Sequence, residues 1–270
     1  MSERTERLCD HYADHMMRKR NVVGVAGGDD KLLVFVTQKQ PLSALATEDV
    51  VDEQVSGVET DVIEVGTITP MLKPGDSIGL RGDYGTGTLG GPVVDEHGDV
   101  FILTNNHVAA NSNRAQVLHL IVHPGPADWE GQPIGWLYRF EPIMFGGRLN
   151  RIDAALVRIN SNQKVNVLPK NRPTTGRTGW RVYKTGRTTG RTQGRIIGRN
   201  ATIDVDFGSQ GVARFINQLV TTNMLEPGDS GSVLLSWGGY PVGLCFAGSS
   251  KVSIHNPAHI VLRTLAVKLL

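Results

Sequence analysis

Residues 88–104 read TLGGPVVDEHGDVFILT, two short apolar runs on either side of Asp95-Glu96-His97-Gly98. Turn-forming residues between β-branched runs predict a hairpin. The same grammar continues downstream, with strands predicted over 117–122, 134–140 and 152–159, each bounded by Gly, Pro or Asn. Half of a β-barrel protein has this spacing. A Pro/Thr/Gly-rich stretch, Leu168 to Gly179, leads to a second series over 181–184, 194–197, 201–205, 215–221, 232–237 and 240–246. The expected fold is therefore all-β in two halves, about 75–165 and 176–255. The 32 glycines agree, because they are scattered among Val, Ile and Leu runs without a strict repeat.

The two ends of the chain read differently. Residues 4–20 carry helix formers and mixed charges without Pro or Gly, and predict a helix. Strands are expected over 21–26 and 32–37, separated by Gly27-Gly28-Asp29-Asp30. The acidic segment after them and the stretch Pro70-Met71-Leu72-Lys73-Pro74-Gly75-Asp76 read as a connector, since two prolines and a glycine break regular structure. A small N-terminal α/β extension over 1–72 and a main domain over 73–270 follow. At the other end Asn256 suits an N-cap, Pro257 suits the first helical position, and Ile260, Val261, Leu265 and Leu269 recur on one face. A C-terminal helix over 257–270 is the expectation.

Composition narrows the function classes. No apolar stretch reaches the 18 or so residues of a spanning helix, and the N-terminus has no apolar leader core. Two cysteines far apart, Cys9 and Cys245, do not make a disulfide framework. A cytoplasmic protein without a membrane anchor is expected. The net charge of +2 hides a segregation: seven acids and no Lys or Arg between Pro41 and Val65, nine bases and no acid between Lys170 and Asn200. Such a basic segment permits a weak anion or nucleic-acid contact through residues 170–199, or it is simply a solvated face. Cys9, His11 and His15 lack a fourth ligand at finger spacing, so no metal and no cofactor are expected.

Three segments carry chemistry. In Glu226-Pro227-Gly228-Asp229-Ser230-Gly231-Ser232 a serine sits on a turn that glycine makes possible, one able to aim the Gly228 and Ser230 N–H groups at a developing oxyanion. A serine nucleophile needs a base and an orienting acid. Leu103-Thr104-Asn105-Asn106-His107-Val108 places a histidine just after an apolar strand, and Arg151-Ile152-Asp153-Ala154-Ala155-Leu156 sets one acid at the head of another. A charge there is costly unless paired.

With LTNNHVAA, DAALVRI and GDSGS in that order, the chain resembles the chymotrypsin-like serine peptidases over roughly 75–270. It is more closely similar to bacterial relatives of the plant narrow-leaf trypsin-like proteins, through NVVGV, TDVIEVG, ILTNNHVAA, HPGPAD, KTGRTTGRTQG, GDSGS and FAGS. The resemblance implies two six-stranded antiparallel barrels with a triad of His107, Asp153 and Ser230 between them. It implies an oxyanion hole of Gly228 and Ser230, and a serine endopeptidase acting on proteins or peptides, possible as a homo-oligomer. The rival reading is a catalytically silent barrel that binds protein or nucleic acid. By the family's layout Met224 lies at the base of the primary pocket, with Leu225 beside it and Phe246, Ala247 and Gly248 along a wall. No acid at the base implies a preference for apolar residues, although a small loop shift brings Glu226 inward. The family's second glycine after the nucleophile is Ser232 here. Arg20-Asn21-Val22-Val23 looks like a zymogen cleavage site, but Val22 and Val23 suit the core of the extension. Asp229 is expected to be satisfied by local N–H groups or an arginine instead.

Overall fold

The computed structural model describes residues 3–68, 71–83, 85–161 and 163–270, which fall into two compact units, Met1–Pro70 and Met71–Leu270. Of the expected connector, Pro70 lies outside the described residues; Met71 to Asp76 belong to the second unit.

In the first unit the helix Glu3–Met17 presents Cys9, Tyr12 and Met16 to the apolar cluster around Leu32 and Val55. Val22–Gly27 and Leu32–Val36 form the expected hairpin. The acidic segment is not the plain connector expected: Val58–Glu64 is a strand, parallel to Leu32–Val36, and completes a four-stranded sheet with Gln54–Val55. Val58, Thr60 and Val62 turn inward while Glu59 and Asp61 are exposed. A strand's period of two was hidden by the number of acids in it.

The second unit holds two antiparallel systems. The first is an eight-stranded sheet ordered Lys268–Leu269, Gly91–Val94, Val100–Thr104, Ala155–Ile159, Gln132–Phe140, Leu120–His123, Ser77–Leu80 and Thr86–Thr88. The second joins Val212–Thr222, Gly190–Asp206, Arg181–Gly186, Val233–Ser236, Pro241–Gly248 and Val252–Pro257. Its last strand pairs again with Val212–Thr222, which closes a ring of six, and Leu149–Asn150 adds a parallel seventh at one edge. The expected pair of six-stranded barrels is thus a ring and a larger sheet, and the strands expected over 194–197 and 201–205 are one continuous bulged strand.

The expected C-terminal helix over 257–270 is shorter. It spans Ala258–Thr264, after which Lys268–Leu269 pairs with Val93 and Val94. From Leu265 to Leu270 buried and exposed residues alternate strictly, and Ala266 turns the chain at φ +49°. The period changes from that of a helix to that of a strand at this point. Asn256 is not a cap but a fully buried strand residue. Phe101, Leu103 and Leu156 of the sheet pack with Val233, Leu235 and Leu244 of the ring and with Val261 and Leu265, so one core joins both systems.

Candidate active site

His107 lies on the single helical turn Asn106–Ala109 that follows the strand Val100–Thr104. Asn106 fixes this turn by donating to the Glu141 carbonyl at 2.7 Å and to Asn113 Oδ1 at 2.8 Å. The ring's Nδ1 lies 2.5 Å from Asp153 Oδ2, and the His107 backbone N–H donates to Asp153 Oδ1 at 3.2 Å. Asp153 is fully buried and the His107 side chain is 24% exposed, so the imidazole links an enclosed carboxylate to solvent. Further out, Asn256 Oδ1 accepts from the Asp153 N–H at 2.9 Å, and Asn256 Nδ2 donates to Gln218 Oε1 at 2.8 Å. Asn105 donates to the Asp153 carbonyl at 2.6 Å. With its backbone held by Asn105 and Asn256, Asp153 fixes the orientation of the imidazole.

The serine loop reaches this site through Thr88, at the end of its strand in the eight-stranded sheet. The Thr88 N–H donates to the Ser230 carbonyl at 2.7 Å and its hydroxyl to the Gly228 carbonyl at 2.8 Å. Both loop glycines are obligatory. Gly228 and Gly231 have φ of +98° and +97°, and a Cβ on Gly231 would stand 2.1 Å from the Thr88 carbonyl oxygen. Among the described residues neither the Gly228 nor the Ser230 N–H meets an acceptor, and both residues are half-buried. Two unpaired amides beside a serine can receive an oxyanion. The Ser230 hydroxyl donates to the Phe246 carbonyl at 3.3 Å, with no hydrogen bond to His107 among the described residues. Ser232 fits where a glycine is usual, because its hydroxyl donates to the Asp229 carbonyl at 2.7 Å.

Asp229 faces away from the cleft into a fully buried ion pair with Lys184 at 3.0 Å. Its carboxylate also accepts the N–H groups of Glu226, Thr188 and Thr189 at 3.0, 3.0 and 3.1 Å, and the Thr189 hydroxyl at 2.6 Å. Burial alone would raise the pKa of this carboxyl, but the hydrogen bonds from Thr189, Glu226 and Lys184 outweigh it and hold it below the usual range. Of the two expected alternatives, local N–H groups are present, and the charged partner is Lys184 rather than an arginine. Asn21 is committed elsewhere, its side-chain oxygen accepting from Thr37 and from the Gln38 N–H within the first unit.

The cleft beside Ser230 encloses about 420 Å³. Leu225, Glu226, Phe246, Ala247 and Gly248 line it. Met224 does not: it packs in the ring's core with Val182, Ile196 and Leu234. On the other side of His107, Phe207 meets the imidazole edge-on at 6.3 Å, backed by Phe145 and Phe215.

Sequence reading missed Thr88, Gln218 and the true place of Asn256, which act through contacts distant in the chain. Lys184 did carry a signal, since Val182, Lys184 and Gly186 share the inward face of a strand.

A closed ring and a larger antiparallel sheet, tied to the Ser230 loop through Thr88, define the class, a chymotrypsin-like fold. Residues 98–244, more than half of the chain, match the trypsin-like peptidase domain family, and the chain belongs to it. Similar solved structures are a Nocardiopsis protease (22% identity, TM-score 0.55), Thermobifida fusca protease A (20%, 0.55) and a Cellulomonas bogoriensis chymotrypsin (20%, 0.53). Each match covers 74% of this chain and 98 or 99% of the other. No curated protein matches the sequence significantly. The fold implies protein or peptide substrates, and no helix among the described residues is long and apolar enough to cross a membrane.

Proposed function

We propose that the protein is a serine endopeptidase in which Ser230 is the nucleophile, His107 the general base and Asp153 the carboxylate that orients it. The observation that carries this is the buried Asp153 bound at 2.5 Å to a partly exposed imidazole, alongside Ser230 on a glycine turn that lines a cleft. Rotation about the Ser230 Cα–Cβ bond takes its hydroxyl from the Phe246 carbonyl towards His107 Nε2, a tightening usual when substrate enters. His107 takes the hydroxyl proton as Oγ attacks the scissile carbonyl, and the Gly228 and Ser230 amides receive the oxyanion. The imidazolium then protonates the leaving amine, and water releases the acyl group by the same steps in reverse.

The pocket takes an uncharged, apolar residue on the acyl side of the cut bond. Glu226 is exposed on its wall, where a charge is worth about 1 kcal/mol or less. Burying or losing a methylene or two against Leu225 and Phe246 is worth about 1–3 kcal/mol, so apolar selection prevails. With Lys184 already on Asp229, the site forms without N-terminal cleavage. Free Cys9 and Cys245 suit a reducing, intracellular setting, and the sequence motifs named above support the narrow-leaf kinship.

The test is a fluorophosphonate probe applied to the full-length chain, with intact mass confirming that it is uncut. Wild type labels on Ser230; His107→Ala and Ser230→Ala, folded by circular dichroism, do not. A folded wild type that stays unlabelled would make the barrel a silent binding module.

A further inference from the structure

The nine bases between Lys170 and Asn200 divide by what they touch. Lys184 is spent on Asp229, and Arg187 on Asp128, to which its guanidinium donates twice. The other seven are exposed, and among the described residues none forms an ion pair. Five of them, Lys170, Arg172, Arg181, Arg191 and Arg195, gather on one outer face of the six-stranded ring. The pleat explains why. Along Arg181–Gly186, Val182 and Lys184 turn inward, so Arg181 and Tyr183 turn outward, and Arg195 pairs directly opposite Arg181.

Aromatic rings are interleaved with these cations. The Arg181 guanidinium lies over Trp237 at 4.4 Å, Arg191 over Tyr183 at 4.4 Å, and the Lys170 ammonium over Tyr240 at 4.1 Å. Tyr183 and Trp237 meet edge to face at 6.3 Å, which joins two of these stacks into one. A groove of about 660 Å³ runs between Arg172, Trp180, Arg181, Trp237 and Tyr240. Trp180, Trp237 and Tyr240 are nevertheless 37, 55 and 39% exposed, so each keeps part of its ring open to a ligand. A hydrogen bond from Lys170, and then the charges of Lys170 and Arg172, lower the pKa of the Tyr240 phenol. None of these residues lines the cleft beside Ser230.

We propose that this groove is a second binding site, separate from the peptidase cleft, for single-stranded nucleic acid. Charge alone would suit any polyanion. Flat rings set between guanidinium groups suit one whose bases are free to stack while its phosphates meet the cations. An acidic peptide needs the cations but not the exposed rings, and a duplex hides the base faces that the rings would take. The site stands apart from the catalytic reading: it needs neither Ser230 nor His107.

The experiment is fluorescence anisotropy of full-length protein with labelled oligothymidylate and oligouridylate of about twelve nucleotides, a length within the usual site size. Both should bind, quenching tryptophan fluorescence. Log affinity should fall with log salt at a slope of about −0.7 per phosphate contacted, so roughly −2 to −3 for three or four contacts. Preference for one of the two would identify RNA or DNA as the ligand. Trp237→Ala should weaken binding roughly tenfold, and Arg181→Gln should weaken it while lowering the salt slope by about 0.7. Lys170→Gln with Arg172→Gln, both at exposed positions, serves as the variant least able to disturb folding. Absence of binding at low salt overturns the proposal. So do variants that bind as wild type, displacement by polyglutamate as effective as by oligonucleotide, or equal binding of duplex. Fluorophosphonate labelling of Ser230 should be the same in all these variants, so failure here leaves the peptidase reading intact and the reverse also holds.

Discussion

The eight-stranded sheet and the six-stranded ring each carry a fully buried aspartate, and they treat it in opposite ways. Asp153 is bound to an imidazole that opens on solvent. Asp229 is enclosed with an ammonium equally buried, and five donors in all fill its oxygens. One carboxylate is paired with a partner open to solvent, the other with a partner as enclosed as itself. Burial by itself therefore does not set the character of a carboxylate's site. The exposure and chemistry of the partner do.

The largest expected effect tests the first carboxylate. Asp153→Asn should keep the fold but cut kcat by about 10⁴-fold, because an amide at this position favours the wrong imidazole tautomer. Steady-state rates on a peptide substrate, with circular dichroism as control, decide this; a rate within tenfold of wild type would break the comparison.

The second carboxylate answers in stability. Lys184→Met leaves an unpaired buried charge and should cost about 3–5 kcal/mol in denaturant unfolding near neutral pH. Adding Asp229→Asn should recover part of that loss. Because the folded pKa of Asp229 is depressed, its contribution is complete above the unfolded value near 3.9 and disappears as pH falls through the lower folded value. A Lys184→Met protein as stable as wild type would show that the pair contributes nothing.

How far this contrast was legible beforehand depended on the range of the contacts. His107, Asp153 and Ser230 each stand in a local pattern: a residue after a strand, a charge heading an apolar run, a turn that only glycine permits. Asn256 and Gln218 do not, since Asn256 meets Asp153, and Gln218 meets Asn256, only once distant strands are paired. Met224 was placed by counting back from Ser230, yet the strand and loop around it turn its side chain into the ring's core. Composition also misled, as acids disguised the strand Val58–Glu64 and surrounding bases disguised the inward-facing Lys184.

A buried base sharpens the picture further. Burial pushes the pKa of His255 down to about 3, whereas the unfolded chain takes up this proton near 6.5. The unfolded state thus binds more protons below 6.5, and stability falls as pH drops towards 3, by on the order of 2 kcal/mol at pH 5. His255→Gln, which can keep the contact with Thr221, should flatten the curve between 4 and 6.5. An unchanged slope would assign the titration elsewhere. The smallest effect is at the cleft wall. Glu226→Gln should shift the choice between basic and apolar residues by no more than about fivefold, read by competition in a peptide library; a complete switch would mean that Glu226, not Leu225 and Phe246, sets specificity.

Lys184 has one further consequence, for how the protein is governed in a cell. Its ammonium is part of the chain, so the partner of Asp229 is present from the moment the ring closes. It is also out of reach, at 0% exposure, for the acetylating and ubiquitin-attaching enzymes that work on surface lysines.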